Sequence, residues 1–190
     1  GLLIQAVSVL AQETSVGKSI FSVHAGPSWY LGKMIGITNN SDAYRNDLRN
    51  GIAWDANYYF LGDKYIFGSF KLAPGLIYQG GRYKNTHDES SDKILMHYFA
   101  PQLALFMVKQ KYNLSLSTGV GYQHYKDKSF VYGKPRDVSM NKLAYNLSAG
   151  GEYRLSPLVG ISAKLNGSLP PLRAIRSGIT VRNGRSNLLN

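Results

Sequence analysis

The sequence predicts an all-β protein, a transmembrane antiparallel up-and-down β-barrel in which eight strands are expected and the last is truncated. Two observations carry this. The first is Tyr112 to Tyr125, Y-N-L-S-L-S-T-G-V-G-Y-Q-H-Y. One parity runs Tyr112, Leu114, Leu116, Thr118, Val120, Tyr122; the other runs Asn113, Ser115, Ser117, Gly119, Gly121, Gln123. So long an alternation marks a strand with one apolar and one polar face. Aromatics at both ends of an apolar band, with small or polar residues opposite, suit a lipid-facing strand. The second is that the pattern recurs along the chain, in segments longer than the usual strand of about 5–6 residues.

Composition agrees. The chain has 190 residues, 14 tyrosines and 20 glycines, which suits one barrel with aromatic girdles and a crowded interior. It has no cysteine, which excludes disulfides, thiolate nucleophiles and cysteine-based zinc sites. There is no apolar run of about 20 residues for a helical span. The formal charge of +11 is spread over loops and turns without a dense basic run. An anionic headgroup layer suits such spread charge at least as well as nucleic acid does.

The chain opens on an apolar run from Leu2 to Ala11 with small residues at Val9 and Ala11, like a signal-peptidase site. Residues 1–11 are therefore read as a signal-peptide remnant, 12–18 as a lead-in and 19–190 as the barrel domain. Export to an outer membrane is the expectation.

Seven strands are predicted. Ser19 to Leu31 alternates Phe21, Val23, Ala25, Pro27 and Trp29 with Ser22, His24, Gly26 and Ser28. Gly51 to Leu61 sets Ile52, Trp54, Ala56, Tyr58 and Phe60 against Ala53, Asp55, Asn57 and Tyr59. Tyr65 to Gly80 sets Ile66, Phe70, Leu72, Leu76 and Tyr78 against Ser69, Lys71, Ala73 and Gln79, with Pro74 weakening the ladder. Leu95 to Val108 sets Phe99, Leu103, Leu105 and Met107 outward. The fifth is the Tyr112 stretch. Asn141 to Leu155 and Leu158 to Leu169 complete the set. Polar loops at Lys33 to Asn50, Gly81 to Lys93 and Lys126 to Met140 alternate with turns at Gly62, Lys109 and Ser156. Long outer loops and short inner turns are the asymmetry of bacterial barrels. Seven is odd where such barrels are even. The basic tail from Pro170 is read as a fourth outer loop, with the closing strand beyond Asn190.

Inward parity carries Asp55, Lys71, Glu152, Arg154 and Lys164, with His24 nearby. In a lumen of this width opposite charges should pair, because a lone buried charge is costly. An internal plug is expected; rearranging Asp55–Lys71 or Glu152–Arg154 would make it a gate. Interfacial lipid contacts are expected at His97, His124, Trp29, Trp54, Tyr112 and Tyr122. His97 and His124 should face one another across the Lys109 turn. Two histidines make a poor metal site, and no phosphate loop, dinucleotide fingerprint or HExxH occurs. No catalytic residue, metal or cofactor is assigned.

With G-V-G-Y at Gly119 to Tyr122 and N-L-S-A-G-G-E-Y at Asn146 to Tyr153, the stretch Ser19 to Leu169 resembles the small outer-membrane β-barrel superfamily of Gram-negative bacteria, the porin-like OmpA/OmpX/OmpW group. The resemblance implies a closed antiparallel barrel, usually eight-stranded, with roles from envelope scaffolding and adhesion to narrow channels and lipid A modification. Barrel deacylases of that kind use an outward histidine with a serine two positions on. Here Phe99 and Lys126 stand in those places. The expected function is a porin-like envelope-structural or interaction role, without catalysis. A narrow channel for small or hydrophobic solutes is the alternative. A lipid A-modifying enzyme and a soluble lipocalin-like carrier rank behind. Expected partners are outer-membrane lipids including lipopolysaccharide, and small solutes, but no nucleic acid.

Overall fold

The computed structural model describes residues 3–8, 14–16, 19–30, 37, 41–62, 65–66, 68–87, 90–131, 134–155, 160–169 and 179–183. Seven strands follow one another round the sheet in chain order. They are β3 (Ser19–Tyr30), β4 (Asn50–Phe60), β5 (Phe70–His87), β6 (Ser90–Val108), β7 (Tyr112–Val131), β8 (Lys134–Arg154) and β9 (Gly160–Leu169). Each is antiparallel to the next, giving an all-β, up-and-down, nearly closed barrel.

Seven alternating strands leave β3 and β9 running the same way, so an antiparallel partner must lie between them. That partner is β1 (Leu3–Ser8). It pairs with β9 from Leu3↔Ser168 to Ser8↔Ala163, and with β3 from Leu3↔Tyr30 to Gln5↔Ser28. The short β2 (Thr14–Val16) runs beside the start of β3. The seam strand therefore comes from the N-terminal side, within the stretch read from sequence as a leader and lead-in. Its alternation was invisible because Leu2 to Ala11 is apolar on both parities. Val9 to Ala11 lie outside the described residues. In the tail, β10 (Ile179–Asn183) pairs with Met140 to Arg136 of β8, above the end of β9. It lengthens that line rather than adding a strand to the circle.

Two of the predicted outer loops are largely strand. The β5–β6 hairpin stays paired as far as His87↔Ser90, and β7–β8 as far as Val131↔Lys134. The long-and-short alternation of connections is thus a property of the first outer connection, and the other two are protruding hairpins. The reason is a change of face. Up to Phe99 and Tyr122 the outward residues are apolar. Beyond them the outward residues include Arg82, Lys93, Lys126 and Asp137, while Tyr83, Ile94, Tyr125 and Val138 are buried inside. The period of two persists, but the outward half turns from apolar to largely charged, while the inward half mixes Tyr83, Ile94, Tyr125 and Val138 with buried Asp92 and Asp127.

The first outer connection, expected from its polar sequence to be loop, contains α1 (Asp42–Arg49). Ser41 caps it, its Oγ accepting the Tyr44 N–H at 3.3 Å. Tyr44 and Leu48, one turn apart, are its buried residues. They pack with Tyr30, Tyr83, Ile94, Met96, Tyr125 and Met140 in an apolar cluster at the hairpin end of the barrel. The helix stops up the mouth that the inverted hairpins form.

Candidate functional site

The lumen is filled by a polar network that ties facing walls together. Asp55 of β4 sits at its centre, with no exposed surface. Its Oδ1 takes His24 Nδ1 at 2.9 Å and Lys164 Nζ at 3.3 Å, and Asn57 Nδ2 also donates to it. Its Oδ2 accepts from Asn166 Nδ2 at 3.0 Å. Lys164 also donates to Asn57 Oδ1 at 2.7 Å, which Gln102 Nε2 approaches at 3.3 Å. From Gln102 the chain continues through Ser117 Oγ, 3.4 Å from Gln102 Oε1, to Ser148 Oγ at 2.5 Å. Buried charges are tolerable when paired and hydrogen-bonded in this way.

Of the five residues expected in a lumen charge network, the structure brings Asp55 and Lys164 into one ion pair. Lys71 is elsewhere. Its Nζ stands 4.7 Å over the Tyr65 ring at the short-turn rim, so Asp55–Lys71 is not a pair. Glu152 and Arg154 meet through an intermediary. Asn113 donates to Glu152 Oε2 at 2.8 Å and accepts from Arg154 Nη2 at 3.2 Å. Asn113 lies across the ladder from Glu152, a register the sequence did not fix.

Sequence reading missed one arrangement entirely. His24 Nε2 lies 3.0 Å from Ser162 Oγ while Nδ1 holds Asp55. Serine, histidine and aspartate thus form the hydrogen-bond order of an acyl-transfer triad. Ser162 and His24 are 138 positions apart, so no local motif announces them. The adjoining cavity, lined by Ser22, Asn57, Tyr59, Phe106 and Glu152 among others, holds about 40 Å³. That is room for water rather than for an acyl chain. In this conformation the arrangement is a closed polar network, with Ser162 only 8% exposed.

On the outside, His97 and His124 are directly opposite, as the hairpin register requires. Each ring is held by a different neighbour. His97 Nδ1 hydrogen-bonds Tyr78 OH at 2.8 Å with the rings stacked, and His124 Nδ1 hydrogen-bonds Asn141. Tyr78, Tyr112, Tyr122 and Trp29 are exposed on the outer wall. Trp54 lies across Gly80, its partner in the ladder. A Cβ there would come within 2.2 Å of the indole, so the glycine makes the flat packing possible.

Two prolines lie within strands of the wall, Pro74 on β5 and Pro101 on β6. Pro74 keeps its place opposite Leu103. The β6–β7 pairing skips from Phe99↔Tyr122 to Gln102↔Gly119, as expected where Pro101 lacks an N–H. The strands are nevertheless so close there that a Cβ on Gly121 would lie 2.1 Å from the Phe99 carbonyl oxygen.

No protein-family model matches the chain, and no curated protein matches it significantly.

Proposed function

We propose that this chain is a membrane-spanning barrel of the bacterial outer-membrane kind, with a structural or interaction role at the envelope and a lumen closed to solutes at rest. One observation carries the reading: the change of face along single strands. Leu114, Leu116, Val120 and Tyr122 of β7 are about half exposed on the outer wall, while Asn113, Ser117 and Gln123 are buried inside. In water that arrangement exposes apolar area and buries polar groups, both unfavourable. In lipid it is the favourable one. Beyond Tyr122 the same strand turns Lys126 and Lys128 outward, where charge suits water, while Tyr125 and Asp127 are buried inside. The boundary between the two halves of the strand supports a boundary between two solvents. The porin-like resemblance of Ser19 to Leu169 points the same way.

The Asp55–Lys164 network and the α1 stopper favour a scaffold over an open pore. A narrow channel is the second reading, favoured by the polar lining of the lumen cavity. It requires α1 and the network to rearrange. The test is to fold the chain into phosphatidylcholine vesicles, follow protease protection, and record planar-bilayer conductance. Protection without steady conductance fits the scaffold, and steady conductance fits the channel. A chain that remains fully soluble and digestible beside the vesicles sinks both.

A further inference from the structure

We infer that the outer wall of β5–β7 carries a binding patch for lipid phosphate groups, just above the aromatic belt. The inference rests on the membrane reading above. Lys84 of β5, Lys93 of β6 and Lys128 of β7 are directly opposite one another in register. One outward row below, Arg82 and Lys126 flank Leu95. Like charges directly opposite on a sheet are destabilising. Among the described residues, five cations in two adjacent rows face one acid, Asp137, which lies opposite Lys128 and 3.8 Å from Lys126 Nζ. Among the described residues these two rows are thus short of negative charge, where backbone pairing gives the lysines no freedom to separate at the Cα.

Position selects the occupant. The next outward row below holds His97 and His124, and the row under that holds Tyr78, Phe99 and Tyr122. An apolar wall, then aromatics, then cations is the order in which a lipid presents acyl chain, interface and headgroup phosphate. A free polyanion in water has no use for the apolar rows. The patch is also one-sided. On the neighbouring β4, Ile52 faces out opposite Arg82. A general attraction to an anionic surface would need no such concentration on three strands. The ligand chemistry is a phosphomonoester-bearing lipid, held by lysine and arginine above its acyl chains.

The chain's two tryptophans make the test direct. Trp54 is opposite Gly80, one outward row below Arg82, and Trp29 is on the adjoining β3. The full chain is folded into phosphatidylcholine vesicles containing a minor fraction of lipid brominated on its acyl chains. The brominated lipid is either phosphatidylcholine or phosphatidic acid. The expected result is several-fold stronger tryptophan quenching by phosphatidic acid than by phosphatidylcholine at equal fraction, weakening as salt rises. Joint substitution Lys84→Gln, Lys93→Gln, Lys126→Gln and Lys128→Gln should bring the two quenchers to parity, and the same four changes to arginine should keep the preference. Equal quenching of the unaltered chain overturns the patch while leaving insertion intact. So does a preference that survives the glutamine set. Failure to insert into plain phosphatidylcholine vesicles would instead remove the membrane reading, and the patch with it.

Discussion

Lys164 Nζ stands 3.3 Å from Asp55 Oδ1 across the seam of the barrel, joining β9 to β4 over the strands between them. Both side chains are buried, at 7% and 0% exposure. Asp55→Asn should leave the lysine uncompensated and cost about 3–5 kcal/mol. Adding Lys164→Met should recover much of that loss, because no unpaired charge then remains. Urea unfolding of both single variants and the double variant in lipid vesicles gives the coupling directly. Simple additivity would mean that the two charges do not stabilise one another.

The α1 stopper depends on two side chains. Leu48 is fully buried in the mouth cluster, and Tyr44 OH donates to Asp92 Oδ2 at 2.8 Å. Leu48→Ala should cost about 2–5 kcal/mol of local stability. Hydrogen exchange should then rise across residues 42–49 while the β6 and β7 amides stay protected. Uniform loss of protection would make the helix part of one cooperative unit with the sheet.

Asp127 of β7 lies near Asp92, the acceptor of the Tyr44 hydroxyl. Burial pushes its carboxyl up to about 7, helped by the nearby Asp92. Ser129 Oγ donates to its Oδ2 at 3.0 Å, while its buried Oδ1 finds no donor among the described residues. The folded state therefore binds this proton more tightly than the unfolded chain does. The contribution to stability is full below about pH 4, falls as pH rises, and levels off above about pH 7. Asp127→Asn should flatten that part of the curve and raise stability at neutral pH. Unfolding midpoints of both forms across the acid range check the sign. A midpoint that rises through the window only in the unaltered chain would reverse it.

The apolar outer wall was legible in the sequence because its outward and lumen-facing residues differ sharply in kind, as Leu116 and Ser117 do. The hairpin extensions were not. In R-Y-K-N and K-D-K-S the outward residue is polar and the inward one is Tyr83 or Asp127, so a search for an apolar outward parity stops short of them. The seam strand escaped because Leu2 to Ala11 shows no alternation. Asp55 and Lys164 could be placed in the lumen from parity alone, but their pairing needed the ring order of strands. So did the meeting of His24 with Ser162. Lys71 was mispaired because parity fixes a side and says nothing of height.

A depth series on β7 separates lipid from water most sharply. The strand presents Tyr112, Leu114, Leu116, Thr118, Val120 and Tyr122 outward in succession. Ten residue steps on a strand tilted about 40° rise about 26 Å, close to the apolar band of a membrane barrel. Arginine placed singly at each should cost about 2–4 kcal/mol near Leu116 and Thr118, falling to about 0–1 at Tyr112 and Tyr122. A water-facing wall would give a flat profile near zero. Ser117→Arg is a different experiment. Ser117 is 3% exposed, and its Oγ lies 2.5 Å from Ser148 and 3.2 Å from Tyr59 OH, so its penalty is steric. It should stay large in any solvent, whereas the Leu116→Arg penalty should track the apolar thickness of the vesicle. Urea unfolding in vesicles of two acyl-chain lengths measures both. If the outward series is flat while Ser117→Arg remains disruptive, the barrel is real but its outer wall does not face lipid.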